Sequence, residues 1–131
     1  MRILLAVVMI ANAVVFFFAA VLHAGIALGA LHEPRIIPAT IVEVICGISL
    51  AWGIVAVFNH WASQWRFALI GNLVALGGVL LGMAALAAGK GPRTASNDLY
   101  HRLMLVLIAA SIVMLLLMRN RPRSMPPTLR S

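Results

Sequence analysis

His23 and Glu43 stand well inside long apolar runs, and they are where this sequence can do chemistry. A carboxylate in hydrocarbon is costly unless it is protonated or partnered, so a residue like Glu43 needs a reason to be there. A Glu–His pair supplies one. It can share a single proton through a hydrogen bond, or ionise as a net-neutral pair. In either form it can relay protons, or hydrogen-bond the carbonyl and hydroxyl of a quinone. His101 joins them as a third candidate, at the start of the fourth run. Asn12 and Asn72 are the asparagines inside the first and third runs. They suit hydrogen bonds between helices, or a polar path Asn72–Asn12–Glu43–His23.

Each of these residues also has a plainer reading. Glu43 can be a protonated group bonded to a backbone carbonyl or an asparagine. His23 can be a packing residue, and His101, beside Tyr100, an interfacial one. His23, Glu43 and His101 would be the trio for a metal ion. They come from three separate runs with no short ligand motif, so metal binding is not expected. His23 and His101 at similar depth would suit one b-type haem, but no second pair exists, since His60 lies in a linker; haem is not expected either. Cys46 is the one cysteine, so it makes no internal disulfide, and it reads as a small buried hydrophobe. It stands three residues from Glu43 with no histidine at local spacing, which leaves no constellation for nucleophilic catalysis.

The elements that must position these groups follow from composition. The chain has 131 residues, 63% hydrophobic and 10% charged, against about 25% charged in a soluble domain. Four apolar runs each approach the roughly 20 residues that cross a bilayer as helix. The sequence predicts an all-α, four-helix transmembrane bundle forming one domain over residues 1–118. Its helices span about 3–29, 37–58, 67–88 and 99–118, followed by a basic cytoplasmic tail, 119–131. Strands of a barrel would alternate over about 10 residues, and these runs do not. The first run follows Arg2 as a signal peptide would, but it exceeds the usual core of about 7–15 apolar residues, so it is expected to stay as a helix.

Charge placement suggests an orientation. Arg2, Arg66, Arg119, Arg121, Arg123 and Arg130 fall on one side, and Arg35, Lys90, Arg93 and Arg102 on the other. The positive-inside rule then puts both ends inside, the N-in/C-in arrangement, with the basic tail against anionic headgroups. A bacterial cytoplasmic membrane is the expected location. There is no basic folded surface for nucleic acid. At 1.5 Å per residue, His23 and Glu43 would each lie roughly 9–10 Å below the outer edge of the hydrocarbon.

Trp61 and Trp65, in the linker after the second helix, read as interface anchors. Gly25–Gly29 and Gly78–Gly82 are small-xxx-small pairs that let helices approach closely, within the bundle or between copies. Residues 89–98 form a polar connection rich in turn formers, in which Asn97 or Asp98 can cap the fourth helix. Its glycines lack the spacing of a phosphate loop.

The stretch Pro38-Ala39-Thr40-Ile41-Val42-Glu43-Val44-Ile45-Cys46-Gly47-Ile48-Ser49-Leu50 places a glycine four residues after Glu43, followed by an apolar residue. With the four-span layout, it resembles the second helix of the DoxX-like small membrane proteins. That resemblance implies quinone-linked oxidation of sulfur compounds, or accessory roles in redox and stress systems.

Three functions fit these residues. The first is a small accessory or scaffold membrane protein that assembles with itself or with a quinone-linked redox complex. The second is an oligomeric transporter, small-molecule or proton-coupled, with Glu43 titrating in a polar path. The third is an oxidoreductase subunit in which Glu43 and His23 exchange protons with quinone. Whether the chain is an enzyme stays open among them.

Overall fold

The computed structural model describes residues 2–119. It contains four helices: α1 (Arg2–His23), α2 (Ile37–Phe58), α3 (Gln64–Ala87) and α4 (Ala95–Arg119). Each packs on its neighbour in sequence, and α1 closes the ring against α4. All four, at 22 to 25 residues, are long and apolar enough to cross a membrane. Ile3, Ile41, Ile70, Leu99 and Val106 are among many large apolar side chains that point outward from the bundle. Such a surface suits lipid and not water.

Why the helices pack this way is visible in their inner faces. On α4 the buried residues are Asn97, His101, Met104, Ile108, Ser111 and Leu115. Their spacing alternates between four and three, the repeat that keeps one seam facing neighbouring helices. On α2 the same alternation runs through Glu43, Cys46, Leu50, Gly53 and Val57. On α1 it runs through Leu5, Met9, Asn12, Phe16, Ala19 and His23. The polar residues of the spans therefore lie on the packed stripes. Asn12, His23, Glu43, Asn72, Asn97, His101 and Ser111 are all buried.

Glycine sets how closely α2 and α3 approach. A Cβ at Gly71 would lie 2.5 Å from the Ser49 carbonyl oxygen, and one at Gly53 would lie 3.0 Å from the Ala68 Cα. Gly78 and Gly82 act within the bundle: a Cβ at Gly78 would overlap Cys46 Sγ, and one at Gly82 would overlap the His101 ring. The other small-residue pair is not helical. Gly25 and Gly29 both have positive φ, +89° and +63°, so α1 ends at His23 instead of running to about residue 29.

The physical reason is a helix stop that recurs in this chain. Gly25 N–H donates to the Leu22 carbonyl (2.9 Å) and Ile26 N–H to the Val21 carbonyl (3.2 Å). That is a Schellman closure around a left-handed residue. Gly89 closes α3 in the same way, with its N–H on Leu86 (3.1 Å) and the Lys90 N–H on Ala85 (2.9 Å). His60 does so after α2, with its N–H on Val57 (3.4 Å) and the Trp61 N–H on Ala56 (3.2 Å). At φ +52°, His60 is the one non-glycine residue with positive φ among those described. A side chain is strained there. His60→Gly is expected to stabilise the protein by about 0.5–1 kcal/mol, read as a raised thermal midpoint in mild detergent. An unchanged or lowered midpoint would count against the left-handed closure.

The remaining boundaries differ little from those the sequence predicts. α2 has the predicted span, with Pro38 in its first turn, where proline costs no hydrogen bond. α3 starts at Gln64 and α4 at Ala95, earlier than the hydropathy suggests, because polar first turns still belong to helices. The cap of α4 is Thr94 and not Asn97 or Asp98: its hydroxyl accepts from the Asn97 N–H at 3.1 Å. Asp98 instead pairs with Arg93 at 3.2 Å.

Candidate functional site

His23 and Glu43 meet. Both Glu43 carboxylate oxygens lie 2.9 Å from His23 Nδ1. The pair forms although His23 is the last residue of α1. The chain leaves the helix there, makes an apolar excursion, and returns so that the Ile36 N–H donates to the His23 carbonyl at 2.8 Å. That bond fixes the start of α2 against the end of α1, and Glu43 follows two turns into α2. The two residues are 4% and 5% exposed, so the charge balance of the pair is set inside the protein.

In low dielectric a net-neutral pair is strongly favoured over a lone charge. Such a pair can be a doubly protonated ring beside a carboxylate, or a neutral ring beside a protonated carboxyl. Where the ring is doubly protonated, or the carboxyl O–H donates to Nδ1, His23 Nε2 carries a hydrogen and can donate to a third group. Where Nδ1–H donates to the carboxyl, Nε2 accepts instead.

A cavity of about 180 Å³ adjoins the pair. Its walls come from all four helices and are mostly apolar, with Phe16, Val42, Val79, Leu81 and Leu86 among them. Pro38, Leu81 and Lys90 are the exposed members of the lining, which places the mouth between the first turn of α2 and the last turns of α3, beside Lys90. The polar groups of the lining are His23, Glu43, Asn97, Tyr100 and His101.

These groups are differently committed. His101 Nδ1 is 2.8 Å from the Asn97 carbonyl, which can only accept, so Nδ1 carries the hydrogen. In a neutral ring this leaves a lone pair on Nε2, the atom that the missing side chain of Gly82 accommodates. The Tyr100 hydroxyl lines the cavity, is buried, and makes no hydrogen bond among the described residues. Asn97 Oδ1 is buried and has no donor among the described residues. His23 Nε2, Tyr100 O–H, His101 Nε2 and Asn97 Oδ1 are thus the polar atoms of the lining not engaged elsewhere among the described residues. Asn97 Oδ1 and Tyr100 O–H are buried without partners at this cavity, as Asn12 Oδ1 and Asn72 Oδ1 are elsewhere in the bundle, and such groups are uncommon.

Asn12 and Asn72 are not part of this site. Asn12 Nδ2 donates across the α1–α4 contact to Ser111 Oγ at 3.4 Å, and Asn72 Nδ2 donates to the Ala68 carbonyl of its own helix at 2.8 Å. Both asparagines are fully buried, and neither lines the cavity. Phe16 stands one helical turn from Asn12 on the same face, lines the cavity, and is 1% exposed. It forms a floor between the two levels, so the continuous path Asn72–Asn12–Glu43–His23 is not formed. Nor do His23, Glu43 and His101 converge as a metal trio. Among the described residues no three His, Cys, Asp or Glu side chains are grouped to hold an ion.

The sequence reading missed Asn97 and Gly82 as site residues, and Tyr100 entered it only as a neighbour at this depth. Asn97 carried a usable signal: it precedes His101 by four residues and Met104 by seven, which puts it on the inner stripe. Gly82 carried none beyond the small-residue pattern. Compared with known proteins, the chain matches no family model, no curated protein and no solved structure.

Proposed function

We propose that this chain is a small accessory protein of a bacterial cytoplasmic membrane, with both ends inside, and that its cavity takes the ring headgroup of a quinone-type lipid. The observation that carries this reading is the mostly apolar cavity with the His23–Glu43 pair at its edge. Its volume of about 180 Å³ suits one six-membered ring, since a cavity of about 150 Å³ already admits benzene. A ring with oxygens on opposite sides would find polar partners at His23, Tyr100, His101 and Asn97. The mouth between α2 and α3 faces the side of the bundle, where a lipid tail can remain in the bilayer.

In this role the protein holds and orients the ring, excludes water with Phe16 and Leu86, and offers a proton at His23 or receives one at His101. The electron chemistry belongs to a partner redox complex. The resemblance of residues 38–50 to DoxX-like proteins points the same way. A transporter reading gains less support, because the cavity stops above Asn12 and Asn72.

The test is to purify the protein in mild detergent, extract its bound lipids for mass spectrometry, and repeat this with Glu43→Gln. Glutamine keeps an oxygen for the His23 ring but cannot hold a net-neutral proton-sharing pair. The wild type should retain quinone, and the folded variant should retain about tenfold less, the scale of losing one charged hydrogen bond. No quinone in either protein, with only oligomeric state or stability changed by the variant, would make Glu43 a structural group and end this reading.

A further inference from the structure

The opposite end of the bundle holds a second cleft, of about 390 Å³. Arg2, the first residue of α1, and Arg119, the last of α4, stand on its rim. Leu5 and Leu115, both almost fully buried, form its floor. The Arg119 guanidinium lies over the Trp65 ring, 5.0 Å from its centre. Trp65 is itself fixed, because its indole N–H donates to the Leu115 carbonyl at 3.2 Å. One of the two arginines is thus held in place before any ligand arrives.

What could neutralise these arginines is restricted by the whole sequence, which contains three acidic residues. All three are at the other end and engaged there. Glu43 pairs with His23, Asp98 pairs with Arg93, and Glu33 accepts from the Thr94 and Ser96 hydroxyls. Residues 120–131 add more arginine and no acid. The chain therefore has no acidic side chain to place beside Arg2 or Arg119. The cleft joins two cations to an apolar floor and an interfacial tryptophan, so its complement is an anionic amphiphile.

We propose that this cleft is a binding site for an anionic phospholipid, with the phosphodiester between Arg2 and Arg119 and the start of an acyl chain over Leu5 and Leu115. Guanidinium groups suit phosphate oxygens because they donate two parallel hydrogen bonds. The site is independent of the quinone reading and uses none of its residues.

The experiment is native mass spectrometry of the full chain in detergent with equal amounts of phosphatidylglycerol and phosphatidylcholine. It is repeated for the Arg2→Gln/Arg119→Gln variant and for Arg66→Gln, an exposed arginine at the same end but outside the cleft. The wild type should prefer phosphatidylglycerol by about thirtyfold, near a fivefold factor for each arginine. The double variant should lose that preference, and Arg66→Gln should keep it. Should the double variant not fold, the single variants are read in its place, each losing part of the preference. A wild type that does not discriminate between the lipids overturns the proposal. So does an equal loss in Arg66→Gln, which would reveal only general surface charge. Displacement of the lipid by millimolar inorganic phosphate would also overturn it, by making the cleft a free-anion site.

Discussion

His23→Leu is expected to destabilise the protein by about 3–5 kcal/mol, because it strands Glu43 in a buried site with no partner. Glu43→Leu should also cost stability, by removing the group that both fixes the His23 ring and balances any charge on it. The double replacement His23→Leu/Glu43→Leu should behave quite differently. Two leucines in an apolar setting need no partner, and exchanging a whole buried pair for hydrophobic residues is often neutral. The double variant should therefore lie within about 1–2 kcal/mol of the wild type, giving a large coupling energy in a double-mutant cycle. Unfolding in mixed detergent micelles, followed by helical circular dichroism, measures all four proteins. Additive effects of the two single variants would show that the 2.9 Å contact between His23 and Glu43 contributes nothing to the fold.

The second large effect belongs to Gly71. A methyl group there would lie 2.5 Å from the Ser49 carbonyl oxygen, 3.1 Å from its carbon and 3.3 Å from the Leu50 Cα. All three are backbone atoms, so no side chain can rotate aside, and α2 must withdraw from α3. Gly71→Ala is expected to lose about 1–3 kcal/mol, the usual range for overpacking. Gly77 is an internal control on the same helix, because a methyl group there meets nothing within 4 Å. Gly77→Ala should be neutral or gain up to about 1 kcal/mol from helix propensity. Thermal midpoints of the two variants in the same detergent decide the matter. Equal midpoints would mean that α2 and α3 do not approach as closely as described.

How much of this was legible beforehand depends on which physical signal each feature leaves. The four spans were readable because crossing a bilayer imposes both length and apolarity, and α2 came out at its predicted bounds, Ile37–Phe58. The end of α1 was not read correctly. The apolar run continues past His23, and hydropathy cannot distinguish a helix from an apolar excursion. Gly25 carried the stop signal, but Gly25–Gly29 also fits a helix-packing pattern, and the second meaning obscured the first.

The His23–Glu43 pair was legible through cost: a carboxylate in that setting needs a partner, and few polar groups share its depth. Which way the polar residues face was also present in the sequence, in the four-three spacing from Asn97 to Leu115, but depth alone did not reveal it. Polarity alone joins Asn12 and Asn72 to the site as one path, since length along a helix does not show that Phe16 intervenes. The role of Gly82 needs the position of the His101 ring, which no local pattern in α3 encodes.

Thr94 links two of these features through one side chain. Its hydroxyl accepts from the Asn97 N–H at the start of α4 and lies 3.3 Å from the Glu33 carboxylate in the connection after α1. Fraying of the first turn of α4 and release of that connection are therefore one event and not two. Asn97 and Ile36 both border the cavity, so two of its walls loosen together. Opening at this end would widen the cavity from two sides at once, through a threonine that lines none of it.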